Sequence, residues 1–128
     1  MTRRLSGGSG FEETAGYSRA VRHGEHISVS GTAAIGPNGA LHLGDAYAQA
    51  AEALGRAIAA ATELGATRDT VLRTRLLLAP NCEWREVVRA HREAFDGSGP
   101  ANTTYFVAGF IPEGVLVEVE LDAVVAGD

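Results

Sequence analysis

The stretch VLVEVELDAVV, residues 115–125, decides how this chain folds. Glu118, Glu120 and Asp122 fall at every second position between Val115, Val117, Val119, Leu121 and Ala123. A β-strand sends alternate side chains to opposite faces, so the pattern predicts a strand with one apolar and one acidic face. The apolar face needs a layer packed on it. The acidic face is either wet or the wall of a site.

The preceding sequence supplies both the partner strands and the covering layer. YSRAVRHGEHISVSGTA, residues 17–33, reads as two strands joined around HGE, a β-hairpin. In its second strand Ile27 and Val29 share one side, while Ser28, Ser30 and Thr32 share the other. GPNG at 36–39 is a turn. Asp45 is a candidate N-cap for a long helix, in which Tyr47, Ala50, Ala51, Leu54, Ala57, Ile58, Ala61 and Leu64 form an apolar stripe, closed by Gly65. TVLRTRLLLA, residues 70–79, is a strand stopped by Pro80. Asn81 is positioned to cap a second helix reaching about Phe95, with Trp84, Val87, Val88, His91 and Phe95 inside. After the DGSGP loop, TTYFVAGF and VLVEVELDAVV complete the sheet. The order is ββαβαββ: a single α+β domain over residues 11–128, a mixed sheet with two helices on one face, preceded by a flexible arm at 1–10. The second sheet face, too polar for a dry core, faces solvent or encloses a polar cavity at a subunit interface.

Composition narrows the function. A net charge of -5 argues against general nucleic-acid binding, which needs a basic stripe to neutralise phosphates. No apolar run approaches the roughly 20 residues of a membrane span, and no hydrophobic segment follows the arginines of MTRRLSGGSG as a secretory signal would require. Cys82 is the only cysteine, which rules out an internal disulfide framework and suits a reducing cytoplasm. All 11 basic residues are arginine. Without a lysine amine, Schiff-base chemistry and pyridoxal phosphate attachment are excluded. His23 and His26 are too few for a zinc site, so no metal is expected. Cys82, at a helix start, lies where a helix dipole lowers a thiol pKa, yet no histidine is near it in sequence. GGSGF lacks the lysine of a phosphate loop and follows no strand.

GYSRAVRHGEHISVSGTA, TVLRTRLLL, HREAFDGSGPANTTY and LVEVELDA, in that order and spacing, resemble the Rid family (reactive intermediate deaminases, also called YjgF or L-PSP endoribonuclease-like). The resemblance runs from about Tyr17 to Val125. It implies a chorismate-mutase-like fold, a homotrimer built around a central barrel, and small-molecule pockets between subunits. It also implies cofactor-free hydrolysis of 2-imino acids to 2-keto acids and ammonia. By resemblance, Tyr17 and Ser30 line the substrate pocket and Glu118 holds the hydrolytic water; Asn102 and Thr104, with Ser30, are the groups expected to bind the substrate. The family's PARS/T motif, whose arginine clamps the substrate carboxylate, here reads PANTT, with Asn102 in the arginine's place and one extra residue before Pro112. An uncharged amide cannot replace the charge-assisted pair. The expected substrate is therefore a small imine, enamine or related reactive metabolite other than the standard 2-imino acids. Arg73 or Arg75 is a possible substitute cation. The alternative is a non-catalytic small-molecule-binding or protein-stabilising trimer. A ribonuclease reading fits the acidic charge poorly.

Overall fold

The computed structural model describes residues 1–127. In chain order the elements are β1 (Thr2–Leu5), α1 (Gly10–Ala15), β2 (Ala20–His23), β3 (His26–Thr32), β4 (Ile35–Gly36), β5 (Gly39–Ala40), α2 (Ala46–Glu63), β6 (Val71–Leu78), α3 (Trp84–Ala94), β7 (Ala101–Phe106) and β8 (Val117–Val124). Six strands form one sheet in the order β1-β2-β3-β8-β6-β7; the small β4–β5 hairpin stands apart. Only β6–β7 is parallel, because α3 carries the chain back between them as a crossover. The ββαβαββ order is present as β2-β3-α2-β6-α3-β7-β8, a mixed α+β single domain as the sequence implied.

The opening stretch sits at the centre of this sheet. β8 lies between β3 and β6, and Val117, Val119, Leu121 and Ala123 are all buried. Opposite them in register stand Ile27 and Val29 of β3 and Thr74, Leu76 and Leu78 of β6. Helix α2 packs on β3 and β8 and against α3. Asp45 caps α2, its Oδ1 accepting from the Ala48 backbone N–H at 2.9 Å, and Gly65 just beyond the helix takes a positive φ of 113°. The core is built from small residues of α2 (Ala50, Ala53, Ala57, Ala61) under larger ones from the sheet. Gln49, outside the expected apolar stripe, is fully buried and ties the β7–β8 connection to α2: its Nε2 donates to the Gly114 carbonyl at 3.0 Å and its Oε1 accepts from Leu116 N–H at 2.8 Å.

Three expectations are corrected. The stretch 1–10 is not a free arm: β1 pairs antiparallel with β2 from Thr2↔His23 to Leu5↔Ala20, because the outer edge of β2 leaves backbone donors and acceptors for it to complete. α1 follows, and its buried Glu12 accepts from Gly7 N–H at 3.0 Å. Second, Glu83 rather than Asn81 caps α3, its carboxylate accepting from Arg85 N–H at 3.1 Å. Third, Thr32 does not share the face of Ser28 and Ser30. Val29 pairs with Leu121 but Thr32 with Val119, so Ser30 and Gly31 together oppose Glu120. This one-residue bulge resets the alternation and sends Thr32 to the buried side.

Candidate active site

The sheet register fixes what meets the acidic row. On the open face, away from α2 and α3, Arg73 stands opposite Asp122, Arg75 opposite Glu120, and Leu77 opposite Glu118. Arg75 Nη1 donates to Asp122 Oδ2 at 3.1 Å and lies 3.5 Å from Glu120 Oε1. Arg73 Nη1 donates to Thr103 Oγ1 at 3.3 Å. Neither suggested substitute cation is paired with Glu118 among the described residues. Both belong to the other end of the row.

Glu118 itself sits at the β3 bulge. A Cβ built on Gly31 would come 2.2 Å from Glu118 Oε1, so the carboxylate occupies the space that any larger residue at 31 would fill. The side chain is half-buried and, among the described residues, accepts no hydrogen bond and joins no ion pair. Burial pushes its pKa above the usual glutamate value; Arg19 opposes that rise and Glu120 adds to it. Ser30 Oγ donates to the Ser18 carbonyl at 2.6 Å, which ties the bulge to the segment leading into β2. Arg19 Nη2 donates to the Gly31 carbonyl at 2.5 Å. A half-buried, unbonded carboxylate is costly, so this arrangement stabilises the fold less than a paired one would. What it offers is free lone pairs facing a polar surface.

Asn102 and Thr104 lie elsewhere. Pairing of β7 with β6 puts Asn102 beside Thr74 and Thr104 beside Leu76, on the helix side of the sheet. Asn102 Nδ2 donates to Thr74 Oγ1 at 3.1 Å, Thr104 Oγ1 donates to Asn102 Oδ1 at 2.8 Å, and Thr74 Oγ1 lies 2.7 Å from His91 Nε2. His91 also packs against the Phe95 ring, 4.9 Å between centroids, and burial lowers its pKa. Within one chain, then, Glu118 and Ser30 occupy one face of the sheet, and Asn102 and Thr104 the other. Tyr17 is exposed beside Phe11, ring centroids 6.4 Å apart, and with Ser18, Arg4 and Glu12 lines a groove of about 400 Å³.

Cys82 lies two residues before α3 and is buried; desolvation, with Glu83 beside it, pushes its thiol up to about 11, opposite to the lowering that a helix start would give. At neutral pH it is a protonated apolar side chain. His23 Nδ1 is 2.7 Å from Thr2 Oγ1, which places it in the β1–β2 edge. Sequence reasoning missed Arg19 and Gly31. Gly31 carried a usable signal, since a lone glycine inside a strand pattern suggests a bulge or a close approach. Arg19 carried none, because nothing in SRAV shows which carbonyl a guanidinium will reach.

Comparison with known proteins gives the same picture over the whole fold. The family model described as Endoribonuclease L-PSP matches residues 8–125. An uncharacterized protein of Streptomyces coelicolor is 41% identical over 121 residues, covering 94% of this chain and 90% of its own. The 2-iminobutanoate/2-iminopropanoate deaminase of Mus musculus is 33% identical over 109 residues, 84% of this chain and 80% of that one. Among solved structures, Rv2704 of Mycobacterium tuberculosis, described as a member of the YjgF/YER057c/UK114 family, superposes with a TM-score of 0.86 at 39% identity, covering 98% of this chain and 100% of that chain.

Proposed function

The chain belongs to the Endoribonuclease L-PSP family, the YjgF/Rid proteins, and from that premise we propose that it is a cofactor-independent hydrolase of a small imine, enamine or related reactive metabolite. The observation that carries the reading is Glu118: a half-buried carboxylate with a raised pKa and no partner among the described residues. Such a group accepts a hydrogen bond from water and takes its proton as the oxygen attacks the carbon of a C=N bond. The resulting carbinolamine collapses with return of that proton to nitrogen; imine and water become a carbonyl compound and ammonia. The activity named for the mouse relative supports this class of reaction.

The binding groups Asn102 and Thr104, on the opposite sheet face from Glu118, complete the site only across a subunit boundary. We therefore place it between protomers of a homotrimer, with Ser30 and Glu118 on one wall and Tyr17 at its rim. Asn102, uncharged and bonded to Thr74, offers no carboxylate clamp, so the substrate lacks the carboxylate of the 2-imino acids. The same bonding favours a second reading, a trimer that binds or stabilises without catalysis.

The test generates imines in place, 2-iminopropanoate and 2-iminobutanoate through an amino-acid oxidase and carboxylate-free imines from amines, and times ammonia release. Acceleration confined to the carboxylate-free compounds is expected. Fast turnover of the 2-imino acids would overturn the substrate assignment, and no acceleration of any imine would move the protein to the second reading. Light scattering giving a monomer at micromolar concentration would remove the intersubunit site.

A further inference from the structure

Among the described residues, Arg19 is the open-face cation whose side chain reaches the β3 bulge. Arg75 is held by Glu120 and Asp122, and Arg73 lies on Thr103. Arg19 precedes β2, and its backbone is clamped on both sides: its N–H donates to the Leu5 carbonyl at 2.8 Å and its carbonyl accepts from Ser30 N–H at 3.0 Å. The side chain then crosses to the bulge, where Nη2 takes the Gly31 carbonyl at 2.5 Å and Nε is buried without a hydrogen-bond partner. Gly31 is the residue whose missing side chain leaves the space that the Glu118 carboxylate occupies. One guanidinium thus holds the backbone that seats the carboxylate.

We infer that Arg19 is a positioning residue of the Glu118 site: it fastens the Ser30–Gly31 bulge that seats the carboxylate, and its charge favours the ionised form of Glu118. This rests on the reading of Glu118 as the site carboxylate. The other groups facing Glu118 work against ionisation or are neutral. On β8 the neighbour is Glu120, with Asp122 beyond it; on β6 it is Leu77, with Arg75 next but engaged; on β3 they are Ser30 and Gly31. Arg19 is the group among these that lowers the Glu118 pKa while burial and Glu120 raise it. Without it, burial and Glu120 would act unopposed, and the carboxyl would stay protonated to higher pH, where it cannot accept a proton from water.

The experiment follows the Glu118 side-chain carboxyl carbon by NMR through a pH titration, in the full chain, for wild type, Arg19→Gln, Arg19→Lys and Ser30→Ala. It needs no substrate, so failure of the hydrolase reading and failure of this one are separable. Arg19→Gln should move the Glu118 midpoint upward, Arg19→Lys should leave it near wild type, and Ser30→Ala, which loosens the bulge but keeps the charge, should move it less than Arg19→Gln does. An unchanged midpoint in Arg19→Gln, or an equal rise in Ser30→Ala, would overturn the inference. If Arg19→Gln does not fold, Arg19→Lys decides: a midpoint near wild type sustains the role of charge, and a large rise refutes it.

Discussion

On the open face, Glu118 is a half-buried acid whose pKa stands above its ordinary range; on the helix face, His91 is a half-buried base whose pKa stands below its own. Desolvation is the leading cause of both shifts, and in both it favours the neutral form. The difference lies in partners. His91 faces Thr74, which Asn102 holds and Thr104 continues, a closed polar chain under α3. Glu118 fills the space left open at Gly31 and bonds to nothing among the described residues. A perturbed pKa alone does not distinguish a structural group from a reacting one; unsatisfied bonding capacity does.

The two faces also respond to pH with opposite signs. Glu118 has a folded pKa above its ordinary 4.5, so its charged form opposes folding; the penalty is absent below about that pH and complete above the raised value. His91 has a folded pKa below its ordinary 6.5, so its penalty is absent above that pH and grows as pH falls through the lowered value.

The most severe way to break the comparison is Glu118→Gln. If the open face carries the chemistry, hydrolysis of the accepted imine should fall by roughly 10²–10⁴-fold, the usual share of a general base. The melting temperature should rise, and rise more at pH 8 than at pH 4, since the variant removes a penalty present only at higher pH. A Glu118→Gln protein with wild-type turnover would end the assignment.

Gly31→Ala comes next. Its new Cβ would fall 2.2 Å from Glu118 Oε1, so the carboxylate, the mobile end of its side chain, must swing away. Displacement by about an ångström costs on the order of a hundredfold in rate, while denaturant midpoints should change little. Equal loss of stability and rate would mean that the bulge, not the placement of the carboxylate, had been damaged.

Thr74→Val sharpens the other side. It leaves His91 Nε2 and one Asn102 bond without their shared hydroxyl in a buried setting, which should cost about 1–3 kcal/mol in urea denaturation. The Glu118 titration should not move, because Thr74 lies across the sheet. The smallest effect expected is that of Arg75→Ala. Its ion pairs with Glu120 and Asp122 are about one-third exposed, and such surface pairs contribute under about 1 kcal/mol, less at high salt. A loss of several kcal/mol there would show that the acidic row is closed from solvent in the assembly.

Much of this architecture could be read from local pattern. Alternation in 115–125 places Val117, Val119, Leu121 and Ala123 on the buried face, and the helix period from Tyr47 to Leu64, with Asp45 before it and Gly65 after, marks α2. Spacing of this kind is a direct consequence of side-chain direction in strands and helices. The acidic row on one face follows from the same rule.

Bond partners, by contrast, depend on register and on bulges, which join residues far apart in the chain. Nothing local says that Leu77 rather than Arg75 stands across from Glu118, or that an extra residue at Ser30–Gly31 turns Thr32 inward. Nor does it say that Asn102 points to Thr74, since a parallel partner one residue out of step would have put it on the other face. Local pattern thus sets the elements, their order and which face of β8 carries the acids. That Glu118 has no partner among the described residues, at a bulge fastened by a guanidinium no pattern could have placed, depends on where separate strands come to rest against one another.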